Sequence, residues 1–295
     1  MSRAAVIVIG SNSTRLVSAD LTPTLDHPLR RRTETRLFLH MEEGMLSPAA
    51  IQDTAQGILT LMRESDAPVR GIYATSAVRD ARNADALASR IQALCNMPLT
   101  ILSGEEEAAA SFYGAAGERA AGIVDIGGGS TEIALGHGQE ISQAISLQLG
   151  ASRLFRLSPI HTLEGVAPAL EAAEQILNEL PQAFLNHGGL PFYSVGGTGT
   201  AASLLLQNRA YAQGAAEGYL LTRDALYDLL RRIAAVPREQ RAYIPHFPAS
   251  RADILPTGMA ILVAVMDKLS LSQIEVTERC NADGLLRGFV HKIFA

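Results

Sequence analysis

Val6-Ile7-Val8-Ile9-Gly10-Ser11-Asn12-Ser13-Thr14-Arg15-Leu16 aligns without a gap on Ile123-Val124-Asp125-Ile126-Gly127-Gly128-Gly129-Ser130-Thr131-Glu132-Ile133. In both copies a buried-strand pattern runs into a turn of small residues, then a Ser-Thr pair and a second apolar run. An internal repeat of this kind implies two similar half-molecules. A turn rich in glycine and hydroxyls offers free N–H groups and lets the backbone approach an anion, which is what a phosphate needs. The residues after the glycines discriminate further. Ser130-Thr-Glu-Ile-Ala-Leu135 alternates like a strand, so each copy is a hairpin, whereas a dinucleotide fingerprint or a Walker A loop would open a helix. The plain alternative for either copy is an ordinary glycine-rich β-turn.

Working outward, Thr14–Asp20 and Arg31–Phe38 read as further strands and Ser47–Arg63 as a helix with a Ser-Pro entry. Gly71–Ala74 is a strand, Asp80–Leu94 a helix and Leu99–Leu102 a strand. Ser103 opens a helix through the Ser103-x-x-Glu106 capping pattern. The second half repeats the opening with strands at Gly122–Ile126, Ser130–Leu135 and Glu140–Gln148. A long helix is expected over Leu163–Leu185, a strand over Pro191–Val195, helices near 223–235 and 251–269, a strand at Ile274–Thr277 and a closing helix at Ala282–Phe294. Strands alternating with helices after an antiparallel start give an α/β fold in each half. The expected domains are 1–119 and 120–280, with the helix at about 281–295 free to pack back on the first.

The 295 residues carry a formal net charge of -5, with 47% hydrophobic and 19% charged residues. This chain can bury two cores, and it lacks the excess of Lys and Arg that a general nucleic-acid surface needs. The two cysteines and seven histidines fall in no metal-binding spacing, so a reduced protein without structural zinc is expected. No signal-peptide pattern and no long apolar run is found, and a cytoplasmic protein with no membrane partner is expected.

Four segments carry candidate chemistry. Asp125, at a strand end before the three glycines, can hold hydrated Mg²⁺, which prefers one or two carboxylates plus substrate oxygens. Ser103-Gly-Glu105-Glu106-Glu107-Ala108 places carboxylates that could deprotonate a water, although three acids in a first turn are also what the helix macrodipole favours. Ala74-Thr-Ser76-Ala-Val-Arg79 offers hydroxyls and an Arg fork suited to phosphate; an Arg79 paired with Asp80 on the surface is the bland reading. Ser194-Val-Gly196-Gly197-Thr198-Gly-Thr200 is a strand, a turn and a helix start, either an anion site or simply a tight connection. Arg30-Arg31-Arg32 with Arg36 reads as a solvated edge strand or as an attraction for a polyanion.

Together, in order, six blocks resemble the exopolyphosphatase/guanosine pentaphosphate phosphohydrolase family of the actin-like superfamily. They are Gly10-Ser-Asn-Ser-x-Arg15-Leu16, Ala74-Thr-Ser-Ala-x-Arg79, Ser103-Gly-x-Glu-Glu-Ala108, Val124-Asp-Ile-Gly-Gly-Gly-Ser-Thr-Glu132, Ser146-Leu-x-Leu-Gly-Ala-x-Arg153-Leu154 and Arg251-Ala-Asp253. The resemblance implies two RNase H-like domains around a central cleft, with Mg²⁺-dependent cleavage of a terminal phosphate from inorganic polyphosphate or guanosine pentaphosphate. Glu107 would be the catalytic base, and Asp125 and Glu132 would organise the metal. Gly10, Ser11, Asn12, Ser13, Arg15, Ser76, Arg79, Gly127, Gly128, Gly129, Ser130, Thr131, Gly196, Gly197 and Thr198 would grip phosphates. A homodimer is left open. Two departures stand out: Val8 replaces a family Asp, and Ala282 replaces an Arg. They keep a second reading in play, that of a weakly active or inactive polyphosphate-binding or guanosine polyphosphate-binding protein. A small-molecule kinase of the superfamily is disfavoured by Gly10-Ser-Asn-Ser13 and the Glu106-Glu107-Ala108 block.

Overall fold

A computed structural model describes residues 2–294; Met1 and Ala295, the outer ends of the expected ranges, lie outside them. The chain divides into two compact units, Met1–Gly114 with Asn281–Ala295, and Ala115–Cys280.

The first unit begins with β1 (Arg3–Ile9), β2 (Ser13–Asp20) and β3 (Leu29–Glu34), an antiparallel meander. β1 is apolar and buried on both faces, as a central strand should be. β3 carries Arg30, Arg31 and Arg32 at the sheet edge, where charge blunts edge pairing. A two-residue hairpin of β4 (Met41–Glu42) and β5 (Met45–Leu46) leads into α1 (Pro48–Arg63). Ser47 caps α1 by accepting from the Ala50 amide at 3.2 Å, with Pro48 in the first turn. β6 (Val69–Ala74), the short α2 (Ser76–Arg79), α3 (Ala84–Cys95), β7 (Leu99–Ile101) and α4 (Gly104–Ala115) complete the run. The sheet order is β3-β2-β1-β6-β7, with β6 and β7 parallel to β1. Ile7, Ile9, Leu16 and Ile72 pack against Ile58 and Leu61 of α1 and Leu87 and Ile91 of α3.

The second unit repeats this plan. β8 (Ala120–Ile126), β9 (Thr131–His137) and β10 (Glu140–Leu147) form the meander. Next come α5 (Ala151–Leu157), α6 (Val166–Leu177), α7 (Gln182–Leu185), β11 (Phe192–Val195), α8 (Gly197–Leu206), β12 (Leu220–Thr222), α9 (Arg223–Ala234), α10 (Leu255–Lys268) and β13 (Gln273–Val276). The order is β10-β9-β8-β11-β13-β12, the first unit's order plus an antiparallel edge strand. α10 is buried from Leu255 to Met266 and packs on α5, α6, α8 and α9. A helix apolar all round belongs at the centre of a core.

After β13 the chain returns to the first unit as α11 (Asn281–Phe294), which packs on β1 and β2. There is no room for a side chain at Gly284, because an added Cβ would lie 1.9 Å from the Ala110 carbonyl of α4. Arg30 of β3 donates to both oxygens of Asp283, at 2.8 and 2.5 Å. Arg30 is thus committed to a structural ion pair, and only its neighbours Arg31 and Arg32 keep the exposure that the sequence suggests.

Four expected elements differ from those observed. The strand expected over Arg31–Phe38 is Leu29–Glu34, because Thr35, Arg36 and Phe38 turn their amides to the Ser11 and Asn12 carbonyls. The helix expected over Leu163–Leu185 is broken into a 3₁₀ turn at Leu163–Gly165, α6 and α7, with Pro181 at the second break. The helix expected over Asp80–Leu94 is two, α2 and α3, and α3 ends on Asn96 in the left-handed conformation at φ 52°. The helix expected over 251–269 begins at Leu255, after a 3₁₀ turn at Ala249–Arg251. Among the described residues no helix is long and apolar enough to cross a membrane.

Candidate functional site

Both glycine turns fold alike. The Gly10 amide donates to Ser13 O at 3.0 Å and the Gly127 amide to Ser130 O at 2.9 Å. A second device recurs with unrelated sequence. In the first unit the carbonyls of Ser11 and Asn12 accept from the amides of Phe38, Thr35 and Arg36. In the second, Gly127 O accepts from Ala151 N at 2.9 Å, and Gly128 O accepts from Ser152 N at 2.9 Å and Arg153 N at 3.0 Å. Gly129 O takes the Arg153 Nε–H at 2.7 Å. A trans peptide points its N–H opposite its C=O. Tying down three consecutive carbonyls therefore turns the amides of Gly128, Gly129 and Ser130 to the other side, where they have no acceptor among the described residues. Converging backbone amides of this kind form an anion nest. The Ser130 hydroxyl is buried without a partner in the same turn.

The glycine at 150 permits this arrangement. A Cβ there would lie 2.4 Å from the C and O of Gly128. That explains the Gly150-Ala-Ser-Arg153 block, whose residues are absent from the expected site. Thr131, expected among the phosphate contacts, instead spends its buried hydroxyl on Leu149 O and anchors the turn.

Asp125 and Glu132 are cross-strand partners on β8 and β9, so their carboxylates share one face. Their residues are 8% and 1% exposed, and Ser146 Oγ donates to Glu132 Oε1 at 2.6 Å. Gly196, at φ 91°, passes so close that a Cβ would meet Asp125 Oδ1 at 2.9 Å. Beside it, the Arg251 guanidinium lies against Gly197 at the start of α8, 1.9 Å from where a Cβ would be. Thr198 is buried in the first turn of α8 and packs toward Gly258 of α10. Among the described residues no group of three or more His, Cys, Asp or Glu forms a metal cage. A pair of carboxylates beside an anion nest suits Mg²⁺, which keeps waters and takes substrate oxygens, and does not suit a structural zinc.

In the first unit Ser11 Oγ lies 3.3 Å from Ser76 Oγ, which joins the glycine turn to the start of α2. At the other end of α2, Arg79 Nη1 donates to Glu107 Oε2 at 3.0 Å and to Leu102 O at 2.9 Å. Arg79 Nη2 is buried without a partner. The three acids of α4 have separate fates. Glu106 closes a capping box, its Oε2 accepting from Ser103 N at 2.8 Å while its own amide donates to Ser103 Oγ at 3.1 Å. Glu105 is exposed. Glu107 is 6% exposed and held by Arg79, so it alone has the buried, oriented setting of a general base.

The repeat is chemically unequal. Val8 pairs with Arg15 in the same register that Asp125 shares with Glu132. Both carboxylates of the second unit are thus missing from the first, one replaced by an apolar side chain and the other by a guanidinium.

A model of the Ppx/GppA phosphatase family matches residues 29–293. The chain belongs to the Ppx/GppA phosphatase family. The matched range begins beyond the first glycine turn, so Val8 lies outside it. The Ppx/GppA enzyme of Aquifex aeolicus is 26% identical, the match covering 97% of this chain and 99% of that one at a TM-score of 0.79. An exopolyphosphatase from Cytophaga hutchinsonii is 22% identical, covering 99% of this chain and 98% of that one, at a TM-score of 0.86. An exopolyphosphatase-like protein, 21% identical over 100% of this chain and 99% of that one, reaches 0.88. The last two likenesses are of fold. As a Ppx/GppA member the chain has the actin-like two-domain fold and is a phosphoanhydride hydrolase.

Proposed function

We propose that this chain removes the terminal phosphate of inorganic polyphosphate or guanosine pentaphosphate, with Glu107 as general base and Mg²⁺ as cofactor. The observation that carries the reading is the separation of the three acids on α4. Glu106 caps, Glu105 is solvated, and Glu107 is buried with one carboxylate oxygen fixed by Arg79.

In the proposed reaction Glu107 takes a proton from water as its oxygen bonds to the terminal phosphorus. The bond from phosphorus to the bridging oxygen breaks, and the shortened chain leaves with the electron pair. Within the second unit, the amides of Gly128, Gly129 and Ser130 are preorganised donors for phosphate oxygens, so they would hold such charge without reorganisation. Within the first unit, Ser11, Ser13, Ser76 and Arg79 Nη2 are donors that a phosphate could use, and Arg79 Nη1 keeps Glu107 in place. Asp125 and Glu132 would hold Mg²⁺, which supplies charge neutralisation for the phosphoanhydride when bound.

Glu107→Gln tests the assignment. General-base catalysis contributes about 10²- to 10⁴-fold in rate, so kcat for phosphate release should fall by about that much while substrate affinity is kept. Glu105→Gln and Glu106→Gln should stay within a few-fold of wild type. Equal losses from all three would reduce the cluster to a helix terminus.

Val8 favours a second reading, a binder that senses polyphosphate or guanosine polyphosphates with little turnover, because the carboxylate that would face the first glycine turn is gone. Tight binding of either anion with negligible phosphate release at every Mg²⁺ concentration would establish it.

A further inference from the structure

Glu132 stands between two cross-strand neighbours. Asp125 of β8 is on one side and Ser146 of β10 on the other, so one rung of the second sheet reads Asp125, Glu132, Ser146. Residues directly opposite on adjacent strands share a face, and the half-buried Ser146 donates its hydroxyl to Glu132 Oε1 at 2.6 Å. Glu132 is 1% exposed, and a carboxylate so buried needs donors or a cation around it. A serine has one hydroxyl proton, so this bond fixes the hydroxyl and the carboxylate together. The carboxylate has two oxygens and about four acceptor sites, so one hydroxyl orients it without saturating it. β10 is an edge strand, where β-branched and aromatic residues fit better than serine, so strand propensity does not account for Ser146. The corresponding rung of the first unit is Val8, Arg15, Arg32. Where the carboxylates are absent, the hydroxyl is absent too. Ser142, on the same strand, spends its hydroxyl on the backbone carbonyl of Leu135 at 3.1 Å.

We propose that Ser146 is a positioning residue for the Asp125 and Glu132 pair: its hydroxyl holds Glu132 in the orientation in which the two carboxylates together serve Mg²⁺. Ser146 acts only through Glu132. Hydrogen-bond partners behind a metal ligand typically change metal affinity about 10- to 100-fold when they are removed. This inference rests on the Mg²⁺ part of the proposed function, and it concerns affinity for the ion and not the hydrolytic step.

The test is titration of the full chain with Mn²⁺, which takes the same oxygen ligands as Mg²⁺, the free ion being followed by electron paramagnetic resonance. Ser146→Ala should weaken Mn²⁺ binding about tenfold or more. Ser146→Thr keeps the hydroxyl and suits a strand, so it should restore most of the affinity. Ser142→Ala removes a hydroxyl from the same strand and should bind Mn²⁺ like wild type. In phosphate-release assays Ser146→Ala should raise the Mg²⁺ concentration needed for half-maximal rate by the same factor, with a much smaller change in the rate at saturating Mg²⁺. If Ser146→Ala does not fold, judged by circular dichroism, Ser146→Thr against its isostere Ser146→Val decides, and only the threonine should bind like wild type. Wild-type Mn²⁺ affinity in folded Ser146→Ala, an equal loss in Ser146→Thr, or a wild-type chain that binds no Mn²⁺ overturns the inference. Mg²⁺-dependent phosphate release alongside any of these would leave the proposed hydrolase intact, whereas release indifferent to Mg²⁺ would remove the reading on which the inference rests, so the two failures are distinguishable.

Discussion

Replacing Gly150 by alanine should damage the second glycine turn from behind, and the structure gives the size of the effect. Gly150 is the N-cap of α5 with φ -125° and ψ 161°, extended backbone that alanine accepts without strain. Space alone forbids the methyl group. It would lie 2.4 Å from Gly128 C and O and 2.5 Å from Gly129 C, against 3.4 Å for ordinary contact. These neighbours are backbone, so the turn and the α5 terminus must separate by about 1 Å. The three amide bonds from Ala151, Ser152 and Arg153, now 2.9, 2.9 and 3.0 Å, would then stretch beyond hydrogen-bond range. Overpacking costs about 1–3 kcal/mol and each lost bond about 1 kcal/mol net. Because these two contributions overlap, a total of about 2–4 kcal/mol is expected. For a unit of this size that lowers Tm by roughly 5–10 °C. Tripolyphosphate affinity in Mg²⁺ should fall with it, because the amides of Gly128, Gly129 and Ser130 lose their aim. Thermal melts and calorimetry on Gly150→Ala check both. A folded variant with unchanged Tm and unchanged affinity would refute the view that α5 holds the nest in shape.

Asp283→Ala should cost about 3 kcal/mol, because Arg30 keeps little solvent and loses both acceptors at once; a loss below about 1 kcal/mol by denaturant titration would show that the pair contributes little. Arg241 is fully buried and donates to four carbonyls, of Val236, Ile160, Ala252 and His161, while burial holds its guanidinium below the ordinary value. Arg241→Met should therefore destabilise the second unit by about 3 kcal/mol or more, since four acceptors are left unpaired, and a wild-type melting curve would contradict this. Asp66 is held below the usual carboxylate range by its hydrogen bond from Arg3 and then by that from Ser18. A lowered folded value means that this contribution is present above the unfolded carboxylate range and is lost as pH falls through the folded value. Asp66→Asn should thus melt below wild type near neutral pH, and the gap should close as the solution is acidified; a gap independent of pH would point to packing instead of charge.

The repeat, both meanders and the order of helices and strands are legible in the sequence because hydrophobic period and glycine punctuation are local signals. The capping box at Ser103 and Glu106 is legible for the same reason. What stays hidden is long-range. Nothing local in Thr35–Phe38 says that its amides serve the turn at Ser11 and Asn12, so the apolar pattern extends the strand too far. Nothing in Gly150 shows that its missing side chain makes room for Gly128. Over Leu163–Leu185 the propensity of Ala, Leu and Glu suggests one long helix, while in the folded chain the Pro181 ring decides. Thr131 resembles a phosphate ligand by its place after the glycines, yet its hydroxyl serves Leu149 O. Val8 is visible as a departure through the repeat itself. Its pairing with Arg15, and hence the reversal of charge between the two turns, needs the strand register.

Phosphate release by the purified full chain from inorganic polyphosphate and from guanosine pentaphosphate, measured across Mg²⁺ concentrations, tests the central claim most directly. Mg²⁺-dependent release of orthophosphate from the chain end of at least one of the two substrates is the expected result. Tight binding of both anions with no phosphate released at any Mg²⁺ concentration would contradict it.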